Sequence, residues 1–124
     1  MNVVEPEIIR GKQILVADDE QGVREAIAML LSVDDHTVTE AENGAVAFAL
    51  FSKGKYDLVI TDFAMPVMKG NELAVKIKNV DPHQPVVMLT AYAEAITSAN
   101  PVDLVLNKPF RLDDLRDAIA EVCS

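Results

Sequence analysis

Short runs of consecutive apolar residues recur along this chain at regular intervals. They are rich in β-branched side chains and bounded by Gly, Pro or Asp, which is typical of buried strands. The pattern predicts strands at residues 14–17, 36–41, 58–62, 85–90 and 103–106, the second of which shows only a weak polar and apolar alternation. Because the other runs are apolar at almost every position, we expect both faces of the sheet to be covered.

The intervals between these runs carry apolar residues at helical spacing. In the first interval Val23, Ile27 and Leu30 repeat every three or four positions, which indicates a helix with one buried face. Helices are predicted over residues 23–31, 43–51, 70–80, 91–100 and 111–122. Asp81-Pro82 ends the third, and Asn100-Pro101 leaves room for only a short fourth helix.

Strands that alternate with helices predict parallel βαβ units with right-handed crossovers. The fold class is therefore a doubly wound α/β domain, with a five-stranded parallel sheet and helices on both faces. We assign residues 13–124 to this single domain. Residues 1–12 contain Pro6 and Gly11 without any periodicity, so we expect a flexible lead-in there.

Charge and cysteine content exclude several classes of protein. The 124 residues carry a net charge of −9, which argues against nucleic-acid binding because a phosphate-binding face needs clustered Lys and Arg. No apolar run approaches the roughly 20 residues that span a bilayer, and the N-terminus lacks a signal peptide pattern. Cys123 is the only cysteine, which fits a reducing compartment. These features predict a cytoplasmic protein without membrane contact.

Polar residues stand at or just after the ends of four predicted strands. They are Asp18, Asp19, Asp62, Thr90 and Lys108. Each alone has an ordinary explanation, such as a helix cap, a turn or a solvated loop. In a parallel sheet, however, the carboxyl ends of all strands meet at one edge, which is where ligands bind. The shared placement therefore favours a functional site.

These residue types suit metal-assisted phosphoryl transfer. Carboxylates of Asp18, Asp19 and Asp62 held close together repel one another unless a cation lies between them, and all-oxygen ligation suits Mg²⁺. An aspartate can then act as a nucleophile that accepts a phosphoryl group. Lys108 and the Thr90 hydroxyl can donate to its oxygens. The Lys108-Pro109 bond restricts the lysine backbone and is open to the cis form.

Four motifs in this order resemble the receiver domain of two-component response regulators. They are Asp18-Asp19-Glu20, Asp62 followed by Met65-Pro66 and Gly70, Leu89-Thr90-Ala91, and Lys108-Pro109-Phe110. The resemblance covers about residues 13–122 and implies a flavodoxin-like, CheY-like fold with strand order 2-1-3-4-5. It implies that Asp62 accepts the phosphoryl group, with Thr90 and Lys108 binding it. Asp18, Asp19, Asp62 and the Ala64 carbonyl would hold Mg²⁺, Asp18 through bound water.

The resemblance also implies partners. The phosphoryl donor would be a sensor histidine kinase or a phosphotransfer protein, and the receiver of the signal a downstream protein or an output domain outside these residues. A phosphorylation-dependent homodimer is a further expectation. The domain would catalyse its own phosphorylation and dephosphorylation without being a stand-alone enzyme.

Two features depart from the family pattern. An aromatic residue usually stands three positions before the lysine, where this chain has Val105. The stretch between Thr90 and Lys108 is also shorter by about one helical turn. A β-branched side chain has few rotamers, so we expect phosphorylation to reorder residues 91–100 rather than to flip a side chain of the fifth strand.

Other classes share this fold and stay open at this point. A flavin-binding module would need a phosphate-cradling loop after the first strand, where this chain has Asp18-Asp19-Glu20. A two-aspartate phosphatase would need a second acid two residues after Asp62, where Ala64 stands. A degenerate receiver that serves only as a binding surface would not need the intact acidic set.

Overall fold

The computed structural model describes residues 8–91 and 101–123. The strands are β1 (Gln13–Ala17), β2 (Thr37–Ala41), β3 (Leu58–Asp62), β4 (Val86–Thr90) and β5 (Leu104–Asn107), and the helices are α1 (Gln21–Ser32), α2 (Gly44–Lys53), α3 (Gly70–Val80) and α4 (Leu112–Cys123). The short helix predicted over residues 91–100 falls almost wholly outside the described residues. No helix in the described ranges is long and apolar enough to cross a membrane.

The five strands form one parallel sheet in the order β2-β1-β3-β4-β5, which confirms the predicted fold class and strand order. The register pairs Ala17 with Thr61 and Asp62 with Leu89. The carboxyl ends of β1, β3 and β4 are therefore nearly level with one another. This places the residues that follow these strands side by side at one edge.

The core lies on both faces of the sheet. Alternate residues of β1 point to opposite faces: Leu15 packs with α2 and α3, whereas Ile14 and Val16 pack with α1 and α4. The central strands β3 and β4 are buried at every position. This explains why their sequences read as continuous apolar runs rather than as alternating ones.

Strand β5 begins one residue later than predicted because the Asp103 side chain takes over a backbone role. Its Oδ2 accepts from the Val86 N–H at 2.8 Å, and the Asp103 N–H donates to the Val86 carbonyl at 2.9 Å. Lys78 of α3 donates to the same Oδ2 at 2.8 Å and to the Gln84 carbonyl at 2.6 Å. Asp103 thus joins α3, β4 and the start of β5.

Residues 8–12 hydrogen-bond to the turn between α1 and β2. The Gly11 N–H donates to the Asp34 carbonyl at 3.1 Å, and the Lys12 N–H donates to His36 Nδ1 at 3.0 Å. Arg116 of α4 binds the buried Asp34 carboxylate with two bonds of 2.9 Å, and this pairing lowers the pKa of Asp34. The turn therefore connects the lead-in to α4 at the edge where the strands begin.

Candidate functional site

Three carboxylates meet at the carboxyl edge of the sheet, as the sequence predicts. Asp18 follows the last residue of β1 and is 1% exposed, and Asp62 ends β3 at 8% exposed. Asp19 is the exposed member of the set. One oxygen from each of the three side chains lies within 4.8 Å of the others. Such closeness is unfavourable without a compensating positive charge.

Lys108 supplies positive charge at this point. Its Nζ lies 3.2 Å from Asp18 Oδ2 and 3.1 Å from Asp62 Oδ1. The Lys108 N–H donates to the Thr90 carbonyl at 2.8 Å. The Lys108-Pro109 peptide bond is cis, a form that the sequence allows. The lysine is therefore held by the end of β4 and reaches across β3 to the acid that follows β1.

Burial and the charges of neighbouring groups shift the pKa in opposite directions at Asp62 and at Lys108. Burial raises the pKa of Asp62 above its ordinary value, although the nearby Lys108 ammonium lowers it in part. Burial alone would lower the pKa of Lys108, but the carboxylates of Asp62 and Asp18 raise it overall. Both groups are thus less well solvated than in water, and the site favours an added cation that would balance the remaining negative charge.

The loop between β3 and α3 passes close to Asp62. The Gly70 N–H donates to the Phe63 carbonyl at 2.9 Å, and a Cβ at Gly70 would overlap the Asp62 carbonyl oxygen. Across the loop, a Cβ at Gly44 would lie 2.6 Å from the Met68 carbonyl oxygen. Two glycines thus let the loop pack against the end of β3 and the start of α2. Their packing role is not visible in the sequence, where both read as helix starts.

Thr90 and Ala64 stand where the sequence places them. Thr90 ends β4 at 4% exposed, one residue beyond Leu89, the register partner of Asp62. Ala64 lies two residues after Asp62 in the exposed part of the loop. Val105 pairs with Met88 in the sheet. All the predicted site residues are therefore on the same edge, and Lys108 is in direct contact with both Asp18 and Asp62.

The donor set fits a small, hard cation. Asp18, Asp19 and Asp62 supply only carboxylate oxygens, and no His or Cys belongs to the cluster within the described residues. All-oxygen sites with few carboxylates suit Mg²⁺ better than the metals that prefer nitrogen or sulfur. Asp19 is open to solvent, which leaves a path for a hydrated ion.

The strand order and this acidic edge define a flavodoxin-like α/β domain with a carboxylate site at the topological switch point of its sheet. The family model of the response regulator receiver domain matches residues 14–120. The chain belongs to that family and is a receiver domain of the response regulators of two-component systems.

Individual relatives agree with this assignment. The response regulator receiver protein CpdR of Brucella abortus is 33% identical, with 90% of this chain and 96% of that protein covered. Sporulation initiation phosphotransferase F of Bacillus subtilis is 30% identical over 88% of this chain and 91% of its own. The transcriptional regulatory protein GlrR of Escherichia coli is 34% identical, but this chain spans only 25% of it.

Solved structures show the same architecture. The response regulator TrrA of Thermotoga maritima, crystallised in complex with Mg²⁺-BeF, superimposes with a TM-score of 0.85 at 34% identity over 90% of this chain and 98% of that one. A response regulator receiver domain protein of Clostridium thermocellum gives 0.82 at 31% identity, with 90% and 93% covered.

Proposed function

We propose that Asp62 accepts a phosphoryl group from the phosphohistidine of a sensor histidine kinase or phosphotransfer protein. A carboxylate oxygen of Asp62 attacks the phosphorus and the phosphorus–nitrogen bond breaks. The imidazole, protonated on its other ring nitrogen, leaves with the electron pair as a neutral group. The observation that carries this proposal is the Lys108 ammonium, which lies 3.1 Å from the Asp62 carboxylate. A fixed cation there can neutralise charge on the transferred oxygens.

The remaining site residues have distinct roles in this proposal. Asp18, Asp19, Asp62 and the Ala64 carbonyl hold Mg²⁺, Asp18 through bound water. The ion, when bound, supplies charge neutralisation for the incoming phosphoryl oxygens. The Thr90 hydroxyl donates to one of those oxygens, since Thr90 ends the strand next to β3. Lys108 moves its contact from the carboxylate to the phosphoryl group.

The other classes that share this fold are less well supported. The loop after β1 presents Asp18, Asp19 and Glu20, which would repel the phosphate of a flavin. Asp62 is followed by Phe63 and Ala64, so the second acid of a two-aspartate phosphatase is missing. The direct contact of Lys108 with two buried acids also disfavours a degenerate receiver.

The partners follow from the same proposal. Phosphorylation changes the surface that a downstream protein, an output domain or a second copy of this chain recognises. The domain promotes its own phosphorylation and dephosphorylation and is not a stand-alone enzyme. It acts in the cytoplasm, where its lone cysteine stays reduced.

Incubation with acetyl phosphate and Mg²⁺, followed by intact-mass measurement, tests the acceptor. The wild type should gain one phosphoryl group, and Asp62→Asn should gain none while keeping the same far-UV circular dichroism. Asp113→Asn is the matched control, because it removes an acid that is 87% exposed on α4. Equal labelling of the Asp62→Asn variant would rule out Asp62 as the sole acceptor.

Replacement of Asp19 by Ala tests the metal site separately. The change removes one ligand and one repulsive charge, so the variant should melt at a higher temperature than wild type without Mg²⁺ and lose most of the stabilisation by Mg²⁺. Thermal melts with and without Mg²⁺ measure both effects. Asp117→Ala, which removes an exposed acid from α4, should keep the Mg²⁺ shift. A full shift in Asp19→Ala would exclude Asp19 as a ligand.

A further inference from the structure

Arg24 of α1 connects the acidic loop to β2. Its Nη1 donates to the Asp18 carbonyl at 2.7 Å, and its Nε lies 3.5 Å from Glu40 Oε1. The side chain is only 14% exposed. Among the described residues, Glu40 is its ion-pair partner, and it makes no ion pair with the carboxylates of the site. Arg24 is thus bound to the main chain of Asp18 and paired with Glu40, rather than with the carboxylates of the site.

Arg24 completes the hydrogen bonding of Asp18. The Asp18 N–H donates to the Ala41 carbonyl at 3.1 Å, Oδ1 accepts from the Glu20 N–H at 3.0 Å, and Oδ2 accepts from Lys108 at 3.2 Å. The carbonyl oxygen is the fourth polar atom of this residue, and it is bound by Arg24. Every polar group of Asp18 therefore has a partner, and its backbone is fixed on both sides.

The bond to the Asp18 carbonyl has a consequence for the next residue. The peptide bond is planar, so the direction of the Asp18 carbonyl determines where the Asp19 nitrogen and Cα lie. Asp19 is exposed, and the described residues show no hydrogen bond or ion pair to its side chain. Its carboxylate is placed beside Asp18 and Asp62 by the backbone rather than by contacts of its own.

We propose that Arg24 is a positioning residue for the cation site: by holding the Asp18 carbonyl, it directs Asp19 toward the site, while Glu40 keeps its charge away from the acids. This inference rests on the proposed Mg²⁺ site. The loss of partners that orient metal ligands typically weakens binding about 10- to 100-fold. For a residue that acts through the backbone, we expect a loss of about 10-fold.

The direction in which the Mg²⁺ affinity changes distinguishes a positioning role of Arg24 from a purely electrostatic one. Removal of a positive group near a cation site should tighten Mg²⁺ binding if only charge matters. Arg24→Met keeps the apolar stem but removes the donors, and should instead weaken binding. Arg10→Met is the matched control, because it removes the same charge from a residue that is 54% exposed and pairs with Asp34, at the edge where the strands begin. It should leave Mg²⁺ affinity unchanged or slightly tighter.

Calorimetric titration with Mg²⁺ alone measures these affinities, and the amide shift of Asp19 reports the peptide plane. The expected result is weaker binding and a moved Asp19 resonance in Arg24→Met, with partial recovery of both in Arg24→Lys, which keeps one donor group. Unchanged or tighter binding in folded Arg24→Met overturns the inference. If that variant does not fold, unchanged affinity and Asp19 shift in Arg24→Lys overturn it instead. Absence of Mg²⁺ binding by wild type refutes the proposed metal site itself.

Discussion

Gly70 meets a requirement of its position that no other residue can meet. A side chain there would overlap the Asp62 carbonyl oxygen and crowd Phe63 Cα, both of which are main-chain atoms that cannot rotate away. Gly70 begins α3 with an ordinary backbone conformation. Glycine is therefore required here by close packing and not by its conformational freedom. The end of β3, and with it Asp62, can therefore take its observed position only because Gly70, eight residues later, has no side chain.

Gly70→Ala should destabilise the fold by about 1–3 kcal/mol, the usual cost of overpacking, and should also slow phosphorylation because the end of β3 must shift. Urea unfolding and acetyl phosphate labelling measure the two effects. Gly22→Ala is the control: a Cβ there meets nothing within 4 Å, and alanine in a helix is favoured by up to about 1 kcal/mol. Equal stability of the two variants would contradict this account of Gly70.

The sequence alone identifies the residues that end apolar runs, and therefore the acids and the lysine of the site. An aspartate after a buried strand stands out because its neighbours are so different from it. Arg24 and Asp34 do not stand out, because each is an ordinary charged residue on or beside a helix. The importance of Asp34 comes from Arg116, 82 residues away, and no local pattern reports such a contact.

At the scale of elements, residues 8–12 are attached to the turn before β2 partly by a hydrogen bond to the buried His36. His36 accepts the Lys12 N–H through Nδ1, and its Nε2 is buried without a partner in the described residues. Burial lowers the pKa of His36, whereas Asp34 and Asp35 raise it in part. Protonation would also place a hydrogen on Nδ1, facing the Lys12 N–H. The neutral form is therefore the one that the fold accommodates.

Stability should fall as the pH drops below about 6.5, the ordinary value for histidine, because the unfolded chain takes up the proton before the folded one does. The contribution of His36 to the free energy of unfolding is fully present above that pH. Below it, the free energy of unfolding falls by at most about 1.4 kcal/mol per pH unit for one proton. Urea unfolding from pH 7 to pH 5 measures it. His36→Gln should flatten the slope, and exposed His83→Gln should keep it. Parallel slopes for wild type and His36→Gln would exclude His36 as the cause.

Asp103 gives a second prediction at this scale. Asp103→Ala removes the acceptor of the Val86 N–H and the partner of Lys78, and should cost about 1–2 kcal/mol for a charged hydrogen bond to a partly exposed group. Asp103→Asn keeps an oxygen for Val86 and should recover part of that loss. Equilibrium unfolding in urea compares the three proteins. If both variants match wild type, the side chain does not hold the start of β5.

Strand and helix positions could largely be predicted, because continuous apolar runs of β1, β3 and β4 have no other stable placement. The predicted ends differ from the observed ones by up to two residues, as at α1, which begins at Gln21 rather than at Val23. At two of these ends a side chain binds a backbone N–H. Asp103 does so before β5, and α4 begins at Leu112 rather than Arg111, since the Arg111 N–H is bound by the Asp114 carboxylate at 2.7 Å. These contacts depend on the direction in which each side chain points, and the hydrophobic pattern of a sequence does not report that direction.

For the whole molecule, the doubly wound parallel sheet could be predicted from the alternation of strands and helices, and its strand order from the resemblance to receiver domains. The route by which phosphorylation changes the rest of the domain is a hypothesis. Val105 lies in β5 beside Met88 and has few rotamers, so a shift of Thr90 on phosphorylation should be absorbed by residues 91–100. We also expect the loop of residues 63–70 to respond, because Gly70 packs against Asp62.

Amide hydrogen exchange with and without beryllofluoride and Mg²⁺ tests this route. Changes in protection should concentrate in residues 91–100 and 63–70, with β5 and α4 little affected. Asp62→Asn is the control and should show none of these changes. Changes confined mainly to β5 and α4, with residues 91–100 unaffected, would show that the signal leaves by another path.

The edge opposite the site carries both ends of the described chain. Residues 8–12 lead into β1 there, Asp57 joins β1 and β3 through the Asp57 N–H and the Gln13 carbonyl at 2.8 Å, and Cys123 at the end of α4 lies 3.8 Å from the Asp57 carbonyl. A sensor chip that captures this protein by a tag at either end would therefore present the acidic edge to the flowing solution.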